Sequence, residues 1–246
     1  MIAASYFLDY SLIVPCYNES LSLRDLVFRA SQLIDSFSSI LRKQLEVIFV
    51  ENGSTDNSRS LLFSLIDSDN PSMKLVLIDS NVGYGNGIYQ GLINSTGSSI
   101  GWTHADLQCD LFDFFRAAQY IETSTLNTAF YLKGTRYARP LFDKIFTFGM
   151  SVFESFLFLG IYTDINAQPC LFPRSLLSKI VNPPLDFSFD LYLYHIAYRS
   201  SFAIIRFPVL FVPRAYGTSS WNTSFLNKVK FIKRTLSFSL KLKFHS

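Results

Sequence analysis

The sequence predicts an α/β fold with a Rossmann-like, mostly parallel central sheet flanked by helices. Three observations predict it. Short apolar runs alternate with helical periods over the first 110 residues. A polar or glycine-containing cluster follows each run. The composition, 49% hydrophobic, 16% aromatic and 17% charged over 246 residues, is enough for a full core and excludes intrinsic disorder.

The elements follow in order. SLIVP (11–15) reads as a buried strand. Leu23, Leu26, Val27, Ala30, Leu33, Ile34, Phe37, Ile40 and Leu41 recur at spacings of three and four, as on one helix face. Ser22, with Asp25 three residues on, offers that helix a capping start. LEVIFV (45–50), KLVLID (74–79) and SSIGWT (98–103) read as further strands, with helices near 57–67 and up to Ser95 between them. This alternation predicts parallel strands with right-handed crossovers, whose ligands bind beyond the carboxyl ends. PCYNE, ENGSTD, NVGYGNG and THADLQ all fall at such ends. Beyond residue 110 the pattern predicts a helix at 111–121, a strand at 129–134, an aromatic-rich stretch at 141–162 and a polar loop at 163–169. A helix near 186–200 and a strand at 203–212 follow. No repeat or linker interrupts the chain, so 1–220 reads as one domain, with a nucleotide-binding half (about 1–110) and an acceptor half (about 111–220).

Several function classes drop out. Cys16, Cys109 and Cys170 are scattered and odd in number, which excludes a disulfide scaffold or a four-cysteine zinc site and fits a reducing compartment. Gly83 and Gly85 begin a dinucleotide fingerprint, but Ile88 stands at its third glycine. No phosphate-loop motif and no nucleophile elbow are present. Residues 221–246 hold six basic and no acidic residues, leaving 16 basic and 19 acidic, a net −3, in residues 1–220. A nucleic-acid binder spreads such charge along a groove, so no nucleic-acid partner is expected. The apolar run 142–162 is broken by Asp143, Lys144 and Glu154, and no membrane span is expected.

His104, Asp106 and Gln108 alternate. If they continue the strand at 98–103, an imidazole, a carboxylate and an amide face one point and can hold a divalent cation. The other reading is a polar strand end with a capping Asp.

The motifs together resemble family 2 glycosyltransferases, in particular the branch of dolichyl-phosphate mannose and glucose synthases. SLIVPCYNE, VENGSTD, NVGYGNGIYQGL, IGWTHADLQ, KGTR, TDINAQPCLFPR and RAYGTSS match that family's motifs in order, over residues 11–220. The resemblance implies the glycosyltransferase A fold, a UDP- or GDP-linked sugar donor, Mn2+ or Mg2+, and transfer with inversion. It implies that Pro15, Tyr17, Asn18 and Glu19 frame the nucleotide. It sets Glu51 and Asn52, with Gly53 and Ser54, at base or ribose, and Asn81 and Gly83 at the donor-binding turn. Ala105 lends backbone. Asp106, the central catalytic residue, and Gln108 hold metal and diphosphate, with His104 as the third ligand position. Arg136 and Arg214 meet phosphate, and Ser219 closes the donor site. The implied acceptor is a polyprenyl phosphate, which needs no base, or a glycan in cell-surface polysaccharide or glycoconjugate synthesis. For a hydroxyl acceptor, Asp164 and Asp190 are the candidate bases. Three positions depart from the family: His104 and Asn52 each replace an Asp, and Ser220 stands where relatives often carry Lys. A nucleotide-sugar-binding relative without turnover is therefore the alternative reading.

The tail completes the expectations. Phe225, Val229, Ile232, Leu236 and Leu240 share a helical face flanked by Lys228, Lys230, Lys233, Arg234, Lys241 and Lys243. A basic amphipathic helix of this kind binds anionic membrane surfaces. The protein is thus expected at the cytoplasmic face of a membrane, near a lipid-linked acceptor. The other reading packs the stripe on the domain.

Overall fold

The computed structural model describes residues 8–125, 129–216 and 225–245. Seven strands form one sheet in the order β3-β2-β1-β4-β6-β5-β7. Strand β1 (Tyr10–Cys16) lies between β2 (Leu45–Asn52) and β4 (Ser99–Trp102), parallel to both, and β2 pairs in parallel with β3 (Met73–Ile78). β6 (Cys170–Pro173) runs antiparallel to both neighbours, β4 and β5 (Phe130–Tyr137), and β5 pairs in parallel with β7 (Ala203–Leu210). The sheet is mixed but mostly parallel, as the alternating pattern predicts.

Helices cover both faces. Leu12, Val14, Val47 and Phe49 point to one side, where α1 (Leu23–Ser36), α2 (Ser58–Leu65) and α4 (Phe112–Thr123) pack. Ile13, Ile48, Val50 and Trp102 point to the other, against α3 (Tyr84–Ile93) and α6 (Phe189–Arg199). This two-sided burial is why the strands read as continuous apolar runs. The first helical period is not one α-helix. After Ser36 the chain winds as a π-turn, Phe37–Leu41, and stops at Arg42 with φ 54°. Ser22 makes no side-chain cap; its hydroxyl bonds the Glu19 and Ala105 carbonyls and so ties the β1 and β4 loops together. The aromatic stretch is a single helix, α5 (Leu141–Phe158). Strand β6 follows directly on the polar loop and does not stand out from it in the sequence, because four residues carry no alternation to detect.

The tail forms α7 (Phe225–His245). It packs on the domain: Ser239 is buried, Phe238 and Leu242 join the second core cluster, and Leu240 is exposed. The side chains of Phe225 and Val229 lie outside the described residues, as do Ser219 and Ser220.

Candidate active site

The polar clusters do converge. A cavity of about 450 Å³ opens beyond the carboxyl ends of β1, β2 and β4. Pro15, Tyr17, Glu19, Asn52, Asn81, Gly83, His104, Ala105, Asp106, Gln108, Arg136, Asp190 and Arg214 all line it. It also takes in Tyr84, Arg139, Asp143 and Phe211, which the motif matching does not single out.

The end of the cavity between β2 and α3 is built from loop backbone. Asn81 Oδ1 accepts the Gly83 N–H at 2.8 Å, and Gly83 has φ 137°. A Cβ there would meet the Leu185 carbonyl at 2.1 Å, so the position requires glycine. The Asn86 N–H in the first turn of α3 also goes to Leu185 O (3.0 Å). That helix start is therefore closed by protein, which removes the dinucleotide-type phosphate site. Asn52 donates to Gly83 O at 3.1 Å, and its own oxygen is buried without a partner among the described residues.

Four expected contacts serve the loops instead. Glu51 is buried and bonds Arg59 Nε (2.6 Å) and the Ser54 N–H (2.6 Å). Ser54 Oγ accepts the Asn18 N–H (3.1 Å), and Asn18 Oδ1 accepts the Thr55 N–H (2.8 Å). Gly53 turns the chain at φ 68°. These residues, Asn18, Glu51, Gly53 and Ser54, fix the shape of the loops around this end and are not among the cavity-lining residues.

The strand does not continue through 104–108. β4 ends at Trp102, and the following residues form a turn with Leu107 at φ 56°. The turn nevertheless places His104, Asp106 and Gln108 on one cavity wall. Asp106 Oδ1 accepts the Gln108 N–H (3.1 Å), and its Oδ2 takes Arg214 at 2.9 Å. Arg214 also reaches Glu19 (3.5 Å). Burial raises the Glu19 pKa, with the Arg214 charge opposing it. Burial likewise holds His104 below its ordinary pKa, and its ring stacks on Tyr84 (5.3 Å between centroids). A neutral imidazole, a carboxylate and an amide are a donor set that fits Mn2+ or Mg2+, with the nitrogen favouring Mn2+. Among the described residues, no three His, Cys, Asp or Glu side chains gather to hold an ion on their own.

Neither candidate base is free. Asp164 forms a two-pronged ion pair with Arg136, receives its backbone N–H (2.8 Å), and is not among the cavity-lining residues. Burial alone would raise the Asp164 pKa, but Arg136 outweighs it and the net shift is downward. Asp190 is buried and bonds Lys133 Nζ (2.7 Å) and Gln168 (3.2 Å). At this end of the cavity, the Arg136 and Arg139 guanidinia both lie over Phe211, at 5.2 and 5.7 Å from its centroid. Arg139 Nε is buried without a partner among the described residues. Burial first, then the Arg136 charge, lowers the Arg139 pKa.

The chain is similar in structure to glucosyl-3-phosphoglycerate synthase from Mycobacterium tuberculosis. For its complex with Mn2+, UDP-glucose and phosphoglyceric acid, the TM-score is 0.72 at 14% identity, covering 96% of this chain and 79% of that one. For its complex with Mg2+ and UDP, the TM-score is 0.69 at 14% identity, with the same coverage. A further mycobacterial protein gives 0.72 at 15% identity, covering 96% and 74%. At these identities the likeness speaks for the fold, which is the glycosyltransferase A architecture. The sequence of residues 11–138, from the first strand to just past Arg136, matches the family described as Glycosyl transferase family 2, and this chain belongs to that family of glycosyltransferase enzymes.

Proposed function

We propose that the protein transfers a sugar from a UDP- or GDP-linked donor to an acceptor that carries a phosphate. The observation that carries this reading is the Arg136–Arg139 pair on Phe211. The two guanidinia share the Asp164 carboxylate, and one buried Nε of Arg139 is left without a partner among the described residues. A phosphate there would satisfy that donor and relieve the repulsion between the two cations.

The donor's nucleoside would lie between Pro15, Tyr17 and Asn52, with its diphosphate at His104, Asp106 and Gln108. These three would hold a divalent cation. When bound, that cation neutralises the diphosphate. Arg214 would turn from Asp106 to the phosphate and stabilise the charge that develops as the sugar leaves. The acceptor phosphate is already anionic, so no residue need remove its proton. This agrees with Asp164 being held by Arg136. The bond to the nucleotide breaks as the acceptor oxygen attacks the opposite face of the anomeric carbon, with inversion.

The dolichyl-phosphate branch and a polyprenyl-phosphate acceptor at a membrane surface are the narrower form of this proposal. The motif order supports it, as do two further features. Helix α7 carries six cations and no acid. Along α5, Leu141, Ile145, Phe148, Val152 and Phe156 recur at spacings of four, three, four and four, and are 52–82% exposed. The second reading, nucleotide-sugar binding without turnover, draws on His104 standing in place of a carboxylate.

The test is transfer from UDP- and GDP-sugars to a short polyprenyl phosphate and to a neutral glycan, read by mass spectrometry. The expected result is product with the phosphate acceptor alone. Arg139→Gln should raise the acceptor KM at least tenfold and leave nucleotide affinity unchanged. Transfer to the neutral glycan alone, or an unchanged KM in Arg139→Gln, would contradict the proposal.

A further inference from the structure

Lys133 is fully enclosed. It sits in β5, three residues before Arg136, and its side chain is 0% exposed. Its Nζ contacts Asp190 Oδ1 (2.7 Å) and Cys170 Sγ (3.0 Å), and lies 5.5 Å from the Trp102 ring centroid. Burial opposes its charge, yet the Asp190 carboxylate outweighs that and raises the lysine pKa.

A buried ion pair is a weak source of stability. Desolvating both charges offsets much of their attraction, and an apolar pair of the same volume serves as well or better. The pair does, however, hold a carboxylate in one orientation. The bonds from Lys133 and from Gln168 to Asp190 both fall on Oδ1. Gln168 Nε2 also donates to the Tyr84 hydroxyl (3.1 Å), which stands beside the same carboxylate. Asp190 lies in the first turn of α6, where the helix dipole favours an anion. Although nearly enclosed, it lines the cavity.

Its place along the cavity gives it a role. The nucleoside end is marked by Pro15, Tyr17 and Asn52, the diphosphate wall by His104, Asp106 and Gln108, and the anion end by Arg136 and Arg139. Tyr84 links Asp190 to His104: the Tyr84 ring stacks on the His104 ring (5.3 Å between centroids), and its hydroxyl shares Gln168 Nε2 with Asp190. Asp190 thus borders the diphosphate wall, where the sugar of a bound donor projects. We propose that Asp190 reads a hydroxyl of the transferred sugar through Oδ2, and that Lys133, which touches no ligand, is the positioning residue that holds it ready. This rests on the proposed nucleotide-sugar donor. An ionised carboxylate accepts hydrogen bonds and donates none, so this corner selects a sugar with a free hydroxyl there.

The experiment is calorimetric titration with Mn2+ present, using UDP against UDP-glucose and GDP against GDP-mannose. In the wild type, the sugar should add affinity to the nucleotide that binds. Asp190→Asn should lose about tenfold of the nucleotide-sugar affinity and leave that of the bare nucleotide within twofold. Lys133→Met should give the same fingerprint although it lies behind the carboxylate. Either single change strands a buried group and could unfold the chain. The double variant Lys133→Met, Asp190→Asn removes both charges together, and it should match Asp190→Asn rather than show the two losses added. Equal losses for nucleotide and nucleotide sugar, or undiminished nucleotide-sugar affinity in the folded variants, would overturn the role in sugar reading. A wild type that binds neither UDP nor GDP would overturn the donor proposal beneath it, which is a separate failure.

Discussion

Asp164 is a residue whose chemistry changed between sequence and structure. In TDINAQP it is one more loop carboxylate, and a base by resemblance. In the fold it is clamped by Arg136 and is 8% exposed. Its pKa lies below the ordinary carboxylate value, so near pH 4 the folded chain binds fewer protons than the unfolded one. The stability it contributes is therefore present above the ordinary carboxylate pKa and lost as pH falls through the folded value. Asp164→Asn should cost about 3 kcal/mol at neutral pH, the scale for breaking a buried pair, and should flatten the acid side of the stability profile. Urea melts from pH 3 to 7 check both. The cavity-lining residues Pro15, Tyr17, Asn52, Asp106 and Arg214 were legible because each sits at a fixed place in a motif. Arg139, Asp143 and Phe211 were not. They reach the cavity through the path of the chain after β5 and β7, which no local pattern encodes. Glu51 is the converse case, a motif position that faces Arg59 and not the cavity.

At the scale of elements, α5 and α7 meet at a buried carboxyl. Glu154 is 0% exposed; its Oε1 accepts the Ser239 hydroxyl at 2.6 Å, and Oε2 has no partner among the described residues. Burial pushes its pKa up to about 7, with the Ser239 bond opposing. A raised carboxyl pKa means the folded state holds the extra proton. Stability is then greatest below about pH 4.5 for this group and declines as pH rises to about 7. At about 1.4 kcal/mol per pH unit this is on the order of 3 kcal/mol. Glu154→Gln keeps an acceptor for Ser239 and should remove the decline, so its Tm should exceed that of the wild type at pH 8 and match it near pH 5. Equal Tm values at pH 8 would contradict the account. The strands β1 to β4 and the helices between them were legible because double-sided burial and helical spacing leave strong local signals. Strand β6 left none, since its four residues gain their strand character from β4 and β5 on either side. The break of the first helix into a π-turn is likewise invisible to apolar spacing, which Phe37, Ile40 and Leu41 continue without interruption.

For the whole molecule, the family membership was legible from the order of seven motifs, while the acceptor was not. No helix of the described residues is long and apolar enough to cross a membrane. The membrane proposal instead predicts reversible binding at the surface. The protein should co-sediment with anionic vesicles at low salt, and Phe148→Asp with Phe156→Asp should reduce the bound fraction several-fold without changing the Tm. High salt should weaken what the cations of α7 contribute. Absence of binding at low salt would contradict a membrane-held acceptor. The claim beneath all of these is that the cavity at the carboxyl ends of β1, β2 and β4 holds a nucleoside diphosphate through Asp106. Calorimetric titration of UDP and GDP into the wild type and Asp106→Asn, with and without Mn2+ or Mg2+, tests it most directly. The account predicts one-to-one binding of one nucleotide, strengthened by Mn2+ at least as much as by Mg2+, and lost in a folded Asp106→Asn. Wild-type binding by Asp106→Asn, or no binding of either nucleotide at millimolar concentration, would contradict it.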